Sequence, residues 1–138
     1  MLPEKILTVK AWFAKAEKDI RSARHSLTAT PPFTDDALFH SQQAVEKALK
    51  GFLVWHDRPF RKTHDLRELS GEALKIDSSL APMLQQASLL TPYAVIFRYP
   101  GESVDPPIEE ANESIAIAEK LYLGILAKIP KEVHPSAS

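Results

Sequence analysis

The chain of 138 residues contains no cysteine, which excludes a disulfide framework, a cysteine-ligated zinc site and thiol catalysis. Its four glycines stand singly, so the sequence has no glycine-rich loop that could cradle a phosphate. No apolar run approaches the roughly 18 to 20 residues of a membrane span, and the first residues lack the apolar stretch of a secretory signal. We therefore expect a soluble, cytoplasmic protein with no membrane partner.

An excess of charge of either sign is also missing, since 17 Lys and Arg stand against 18 Asp and Glu, for a net charge of −1. The first 69 residues nevertheless carry 12 basic and 9 acidic residues, and the remainder carries 5 and 9. This imbalance is too mild to predict a nucleic-acid binder from charge alone. It permits a local basic patch in the first half of the chain.

Proline positions divide the sequence into helical segments, because proline is rarely tolerated inside a helix. The long intervals without proline are 4–30, 33–58 and 108–129. Within them apolar residues recur at three- and four-residue steps, as on the buried face of a helix, and no window alternates as a strand would. The sequence predicts a first helix over about 7–27 and a second over about 35–55, which Thr34 or Asp35 can cap.

Shorter signals predict the remaining helices. Asp65 is expected to cap a short third helix that ends near Gly71 or shortly after, with Glu68 reaching back to the cap amide. A fourth helix is expected over about 79–90, and Asp105 is expected to cap the last one. Residues 91–101 contain β-branched and aromatic residues, but a lone strand would have no partner, so a helical turn followed by a loop is predicted there.

The predicted fold is therefore an all-α, up-and-down bundle of three long and two short helices. It forms a single domain over residues 1–130. Residues 131–138 are polar with one proline, and we expect them to form a flexible C-terminal tail.

Candidate ligand-binding residues share one face of the second predicted helix. They are His40, Gln43, Lys47 and Lys50, whose offsets place them on the same side of the helix. Lys47 and Lys50 could neutralise phosphates, or they belong to an ordinary solvated face, and the sequence leaves both interpretations open. Glu46 precedes Lys50 by four residues, which is the favourable order for an ion pair.

Other candidates lie between the helices. His64 is a possible acid–base group, because imidazole changes its charge near neutral pH, although a structural role at the start of the third helix is expected. Arg98 and Tyr99 follow an apolar run and precede Pro100 and Gly101, as in loops that carry function. The alternative is that Arg98 pairs with an acid and Tyr99 packs. No His-x-x-x-His pattern occurs, so neither a metal nor a cofactor is predicted.

Three segments occur in a characteristic order, and helix one adds a fourth pattern. The segments are Phe39–Lys50 (FHSQQAVEKALK), Lys62–Leu66 (KTHDL) and Arg98–Pro100 (RYP). The pattern in helix one consists of Trp12, Ala16, Asp19, Ile20 and Ala23. Together they resemble the HEPN domain, a nucleotide-binding domain shared by higher eukaryotes and prokaryotes. The resemblance covers residues 8–128.

This resemblance implies a helical bundle that is usually a homodimer and is often encoded beside a minimal nucleotidyltransferase, in toxin–antitoxin-like pairs. Many members are metal-independent ribonucleases, whose signature is an arginine followed after four to six residues by a histidine. Arg98 matches that arginine. Ser103, Val104 and Asp105 stand where the histidine belongs, so the ribonuclease motif is broken.

We therefore expect a non-catalytic, dimeric HEPN-like module that binds a nucleotide or RNA phosphate, or a cognate minimal nucleotidyltransferase. No catalytic residue is assigned, and the candidate contact residues are Lys47, Lys50, His64, Arg98 and Tyr99. Two alternatives remain open. One is a metal-independent ribonuclease that uses His64 in place of the missing histidine, and the other is a purely structural interaction domain with a solvated basic surface.

Overall fold

The computed structural model describes residues 3–90 and 105–135, and every regular element in these ranges is helical. The long and short helices are α1 (Pro3–Ser26), α2 (Thr34–Trp55), α3 (Leu66–Ile76), α4 (Ala81–Ser88) and α5 (Ile108–Leu126), with short 3-10 turns at Ser78–Leu80 and Lys131–Val133. The predicted all-α bundle of three long and two short helices is confirmed. In the same ranges, no helix combines the length and the hydropathy needed to cross a membrane.

Helix α2 lies at the centre of the bundle and contacts α1, α3 and α5. Its small buried residues Ala44, Ala48 and Gly51 let the α1 backbone come close. A Cβ atom added to Gly51 would lie 2.8 Å from the ring of Phe13 and 3.0 Å from the Cβ of Trp12. This close approach fixes which groups of α1 and α2 can meet.

The main core lies among α1, α2, α3, α4 and α5, around Phe13 and Phe52, which are essentially inaccessible to solvent. A second cluster at the other end joins Ala23, Leu38 and Ile115, from the three long helices. Burial, with a smaller effect from Glu17, raises the pKa of Tyr122 to about 12. This tyrosine therefore stays neutral throughout the physiological pH range.

Two predicted helix caps are wrong. The N-cap residue of α2 is Phe33, with no side-chain cap bond, in place of Thr34 or Asp35. The N-cap residue of α5 is Pro107, in place of Asp105. The physical reason at α5 is the pair of prolines, because a residue that precedes proline is disfavoured in the helical region. Pro106 is therefore disfavoured as the first helical residue, and the helix begins after Pro107.

The predicted Asp65 cap of α3 is confirmed, because its carboxylate accepts a hydrogen bond from the Arg67 amide at 2.9 Å. Glu68 does not return to the cap, since its carboxylate accepts both hydrogen bonds of a bidentate pair with Arg61. Helix α3 also continues past Gly71 to Ile76. A Cβ at Gly71 would meet nothing within 4 Å, so this glycine lies on the open side and a single glycine there is tolerated.

The segment that follows α5 packs against the bundle. Val133 is fully buried in the main core. The Nε2 atom of His134 donates a hydrogen bond to the carbonyl of Leu126 at 2.8 Å, where the last turn of a helix leaves carbonyls without partners. The tail predicted from residue 131 onward therefore begins with a packed segment, because one apolar side chain and one imidazole attach it to α5.

Candidate functional site

A buried carboxylate on α2 holds a histidine and a lysine at the same time. The carboxylate of Glu46 is 2.7 Å from Nδ1 of His64 through Oε1 and 3.0 Å from Nζ of Lys50 through Oε2. The Glu46 side chain is 5% exposed, whereas the His64 side chain is 70% exposed. We call these three residues the Glu46 cluster. In this cluster a buried carboxylate holds a solvent-accessible imidazole in place.

Neighbouring side chains fix the geometry of the Glu46 cluster. The amide nitrogen of Gln42, which is fully buried, donates to the carbonyl of His64 at 3.2 Å and to Glu46 at 3.4 Å. The Lys50 ammonium lies 5.7 Å from the ring centre of Trp12 and 5.9 Å from that of Phe60. The loop before α3 is thus tied to α2 through both the side chain and the backbone of His64.

A second cluster repeats this arrangement between α1 and α2. The carboxylate of Asp19 is 2.8 Å from Nδ1 of His40 through Oδ1 and 2.5 Å from Nζ of Lys47 through Oδ2. The side chains of Asp19, His40 and Lys47 are 10%, 31% and 24% exposed. We call these three residues the Asp19 cluster.

The two histidines present the same chemistry. Neither Nε2 atom has a hydrogen-bond partner within residues 3–90 and 105–135. When Nδ1–H donates to the carboxylate, a neutral ring keeps Nε2 as an acceptor, and a protonated ring turns Nε2 into a donor. In both clusters Nε2 is therefore the ring atom that remains open to a ligand.

The structure brings two of the five predicted contact residues, Lys50 and His64, onto the same carboxylate. The predicted ion pair between Glu46 and Lys50 is confirmed, and His64 joins it. Lys50 is only 6% exposed, so the solvated-face interpretation is wrong for this residue. Its ammonium pairs with Glu46 and lies near the rings of Trp12 and Phe60. Arg98 and Tyr99 lie outside the described residues, and the ligand-binding roles of all five residues stay predictions.

The basic residues of the loop after α2 are largely neutralised. Arg58 donates to Glu72 at 2.7 Å, and this hydrogen bond holds the pKa of Glu72 below its usual range. Arg61 pairs with Glu68. Lys62 is exposed and forms no ion pair with any described residue, so it is the loop cation that remains available to a ligand beside His64.

Sequence reasoning did not single out Asp19 and Gln42 as members of the candidate site. The available signal was Asp19 itself, a carboxylate between Ala16 and Ala23 on the buried stripe of α1. A buried carboxylate requires a partner, but the identity of that partner depends on how α1 packs on α2. No group of three or more histidine or acidic side chains suited to a metal ion occurs among the described residues.

A shallow groove adjoins the Glu46 cluster on α1. It has a volume of about 390 Å³ and is lined by Leu7, Thr8, Ala11, Trp12 and Lys15. Trp12 is shared, because its ring also faces the Lys50 ammonium. Trp12 therefore joins the groove to Lys50, a member of the Glu46 cluster.

A family model and a solved structure both relate the chain to the HEPN domain. The family model for the HEPN domain matches residues 9–126. A solved structure described as an archaeal HEPN homologue is 26% identical and superimposes with a TM-score of 0.69, covering 88% of this chain and 98% of that one. No curated protein sequence matches the chain significantly.

Proposed function

Because the chain belongs to the HEPN domain family, we propose that it is a non-catalytic module that binds the phosphate of a nucleotide at the Glu46 cluster. The observation that carries the proposal is the exposed His64 ring, whose Nδ1 is held 2.7 Å from the buried Glu46 carboxylate. Such an anchor fixes the imidazole in one orientation without consuming its second nitrogen.

Charge balance supports a phosphate ligand. Lys50 neutralises Glu46, so the cluster gains a net positive charge only when His64 is protonated. A phosphate oxygen would accept the Nε2–H hydrogen bond, and a charge-assisted bond of this kind is among the strongest that a protein forms. Lys62, two residues before His64 in sequence, adds an exposed cation.

The neighbouring groove supports a nucleotide over a bare anion. Trp12 lines that groove and lies beside Lys50, so a base stacked on its ring would bring the attached phosphate toward the Glu46 cluster. Stacking of a base on an aromatic side chain contributes about 1–3 kcal/mol. The combination of an aromatic surface and an imidazole suits a nucleoside phosphate.

The direct test is calorimetric titration with adenosine 5′-monophosphate at low salt. Replacing His64 with alanine is expected to weaken binding roughly ten- to hundredfold, because hydrogen bonds to charged groups contribute about 1.5–3 kcal/mol. The matched control is His25→Ala, which removes an exposed histidine at the end of α1 and should leave the affinity unchanged.

The thermal midpoints of parent and variants would be recorded alongside, so that loss of fold is separated from loss of binding. Phosphate binding at the Glu46 cluster would be refuted by equal affinities of the parent and the folded His64→Ala variant. It would also be refuted if the parent did not bind adenosine 5′-monophosphate at millimolar concentration.

The alternative function is metal-independent RNA cleavage, and the Glu46–His64 contact supplies one of the groups that it needs. A carboxylate on Nδ1 leaves Nε2 of a neutral imidazole free to act as a general base. Cleavage requires an acid as well as a base, and each contributes about a hundred- to ten-thousandfold. The position of the motif histidine is filled by Ser103, Val104 and Asp105, so we expect the purified protein to leave a labelled RNA intact.

Cleavage of the labelled RNA by the purified protein would have to be traced to its source with two variants. Cleavage by the parent that is lost in both His64→Ala and Arg98→Ala would establish the ribonuclease function. Cleavage that survives both substitutions would come from a contaminant, and the prediction of no intrinsic cleavage would stand.

Assembly is a separate proposal, which the family membership supports. We propose a homodimer and a pairing with a minimal nucleotidyltransferase. Leu7, Leu89 and Leu123 are more than half exposed, and apolar surface of this kind favours association. A light-scattering mass near 15.4 kDa at micromolar concentration would contradict the homodimer.

A further inference from the structure

We propose that the Asp19 cluster is a second phosphate site, so that the protein takes a single-stranded oligonucleotide with at least two phosphates. The proposal rests on the proposed function of the Glu46 cluster, which would hold the other phosphate. It assigns to His40 a role in contacting the backbone of a strand.

The first observation is the repetition of one chemical unit. In both clusters one carboxylate oxygen meets Nδ1 of a histidine, at 2.8 Å for Asp19 and 2.7 Å for Glu46, and the other oxygen meets a lysine ammonium. The two carboxylates come from different helices and the two histidines from different segments. The sequence contains no repeat that would produce two such clusters. The same three side-chain types therefore come together twice through tertiary contacts.

The second observation is that the Asp19 cluster is accessible. The His40 side chain is 31% exposed, and in the part of the chain that the structure describes its Nε2 atom has no hydrogen-bond partner. Buried ion pairs contribute little to stability compared with apolar residues of the same volume. A purely structural contact between α1 and α2 would not require an imidazole with an open nitrogen.

The third observation is spacing. Six residues separate His40 from Glu46 on α2, which is a rise of about 9 Å at 1.5 Å per residue. At 3.6 residues per turn the same six residues also turn about 120° around α2, so the two clusters lie on adjacent sides of the helix. A ligand with one phosphate is therefore expected to occupy one cluster, and a strand with several phosphates is needed to reach both.

An exposed lysine lies on α1 between Trp12, beside the Glu46 cluster, and Asp19. Trp12, Lys15 and Asp19 follow one another at three- and four-residue steps, so they share one side of α1. Lys15 is exposed and forms no ion pair with another described residue. A strand that runs from the groove at Trp12 to the Asp19 cluster would pass this lysine.

The test compares adenosine 5′-monophosphate with 5′-phosphorylated triadenylate, which carries three phosphates. The parent is expected to bind the triadenylate at least about tenfold more tightly, the gain of one charge-assisted contact. His40→Ala and His40→Gln should remove that gain while keeping the affinity for the mononucleotide. The glutamine amide can still donate to Asp19, so this variant covers the case in which alanine disturbs the fold.

Salt dependence gives an independent readout. For single strands the slope of log affinity against log salt is about −0.7 for each phosphate neutralised, so the triadenylate slope should fall in magnitude by about 0.7 in His40→Gln. His25→Ala is the control and should change neither slope nor affinity.

The two proposals fail in different ways. If His64→Ala does not weaken binding of the mononucleotide, the Glu46 cluster is not a phosphate site and both proposals fall. If mononucleotide binding depends on His64 but the triadenylate gains nothing, or its gain survives in both His40 variants, only the second site is overturned.

Discussion

Replacing Glu46 with alanine is expected to lower the free energy of unfolding by about 3–5 kcal/mol, because it strands a buried charge. Lys50 is 6% exposed, and its ammonium is 3.0 Å from the Glu46 carboxylate. His64 and Gln42 lose an acceptor in the same variant. Urea denaturation followed by circular dichroism measures the change through the transition midpoint.

The matched control is the double variant Glu46→Leu with Lys50→Met. Removing both charges and filling their volume with apolar atoms is often neutral, so the double variant should lose much less stability than Glu46→Ala. A decrease in the free energy of unfolding below about 1 kcal/mol in Glu46→Ala would contradict the prediction. It would mean that water hydrates the Lys50 ammonium as well as the Glu46 carboxylate does.

Replacing Phe13 with alanine is expected to cost about 3–5 kcal/mol, the usual range for deleting a fully buried aromatic ring. Phe13 is inaccessible to solvent, and its ring meets Gly51 of α2. Its ring centre also lies 6.4 Å from that of Tyr122 on α5. Because Gly51 has no side chain that could move into the vacated space, the cavity should persist.

The control for this prediction is Lys18→Ala on the same helix. Lys18 is exposed, and substitutions at exposed positions usually change stability by less than about 0.5 kcal/mol. Similar losses in Phe13→Ala and Lys18→Ala would show that α1 is not packed on α2 through Phe13. Both variants can be compared by the same urea titration.

Interactions within one helix or turn could be predicted from the sequence. The proline-free intervals and apolar periodicity predict α1, α2 and α5 within a few residues. The Asp65 cap joins groups two residues apart. The Glu46–Lys50 pair spans four residues on one helix. These predictions succeed because neighbours in the chain determine the geometry, so the spacing alone fixes which groups can meet.

Where two local preferences compete, the sequence predicts the wrong one. Asp105 has the chemistry of a helix cap, but Pro106 and Pro107 delay the start of α5. Glu68 has the spacing of a capping box, but Arg61 offers it two charged hydrogen bonds. Residue type names the candidates in each case, and backbone sterics or a stronger partner selects among them.

The sequence by itself therefore determined a bundle of three long and two short helices, the Asp65 cap of α3 and one ion pair on α2. The tertiary structure decided that Asp19 meets His40 and Lys47, and that His64 lies on Glu46. These contacts join residues 18 to 28 positions apart. For the Asp19 cluster, the physical reason is that the close approach of α1 to α2 at Gly51 sets the rotation and register of the two helices, which no spacing within either helix specifies. For His64, it is the path of the loop before α3, whose backbone carbonyl accepts a hydrogen bond from Gln42 of α2.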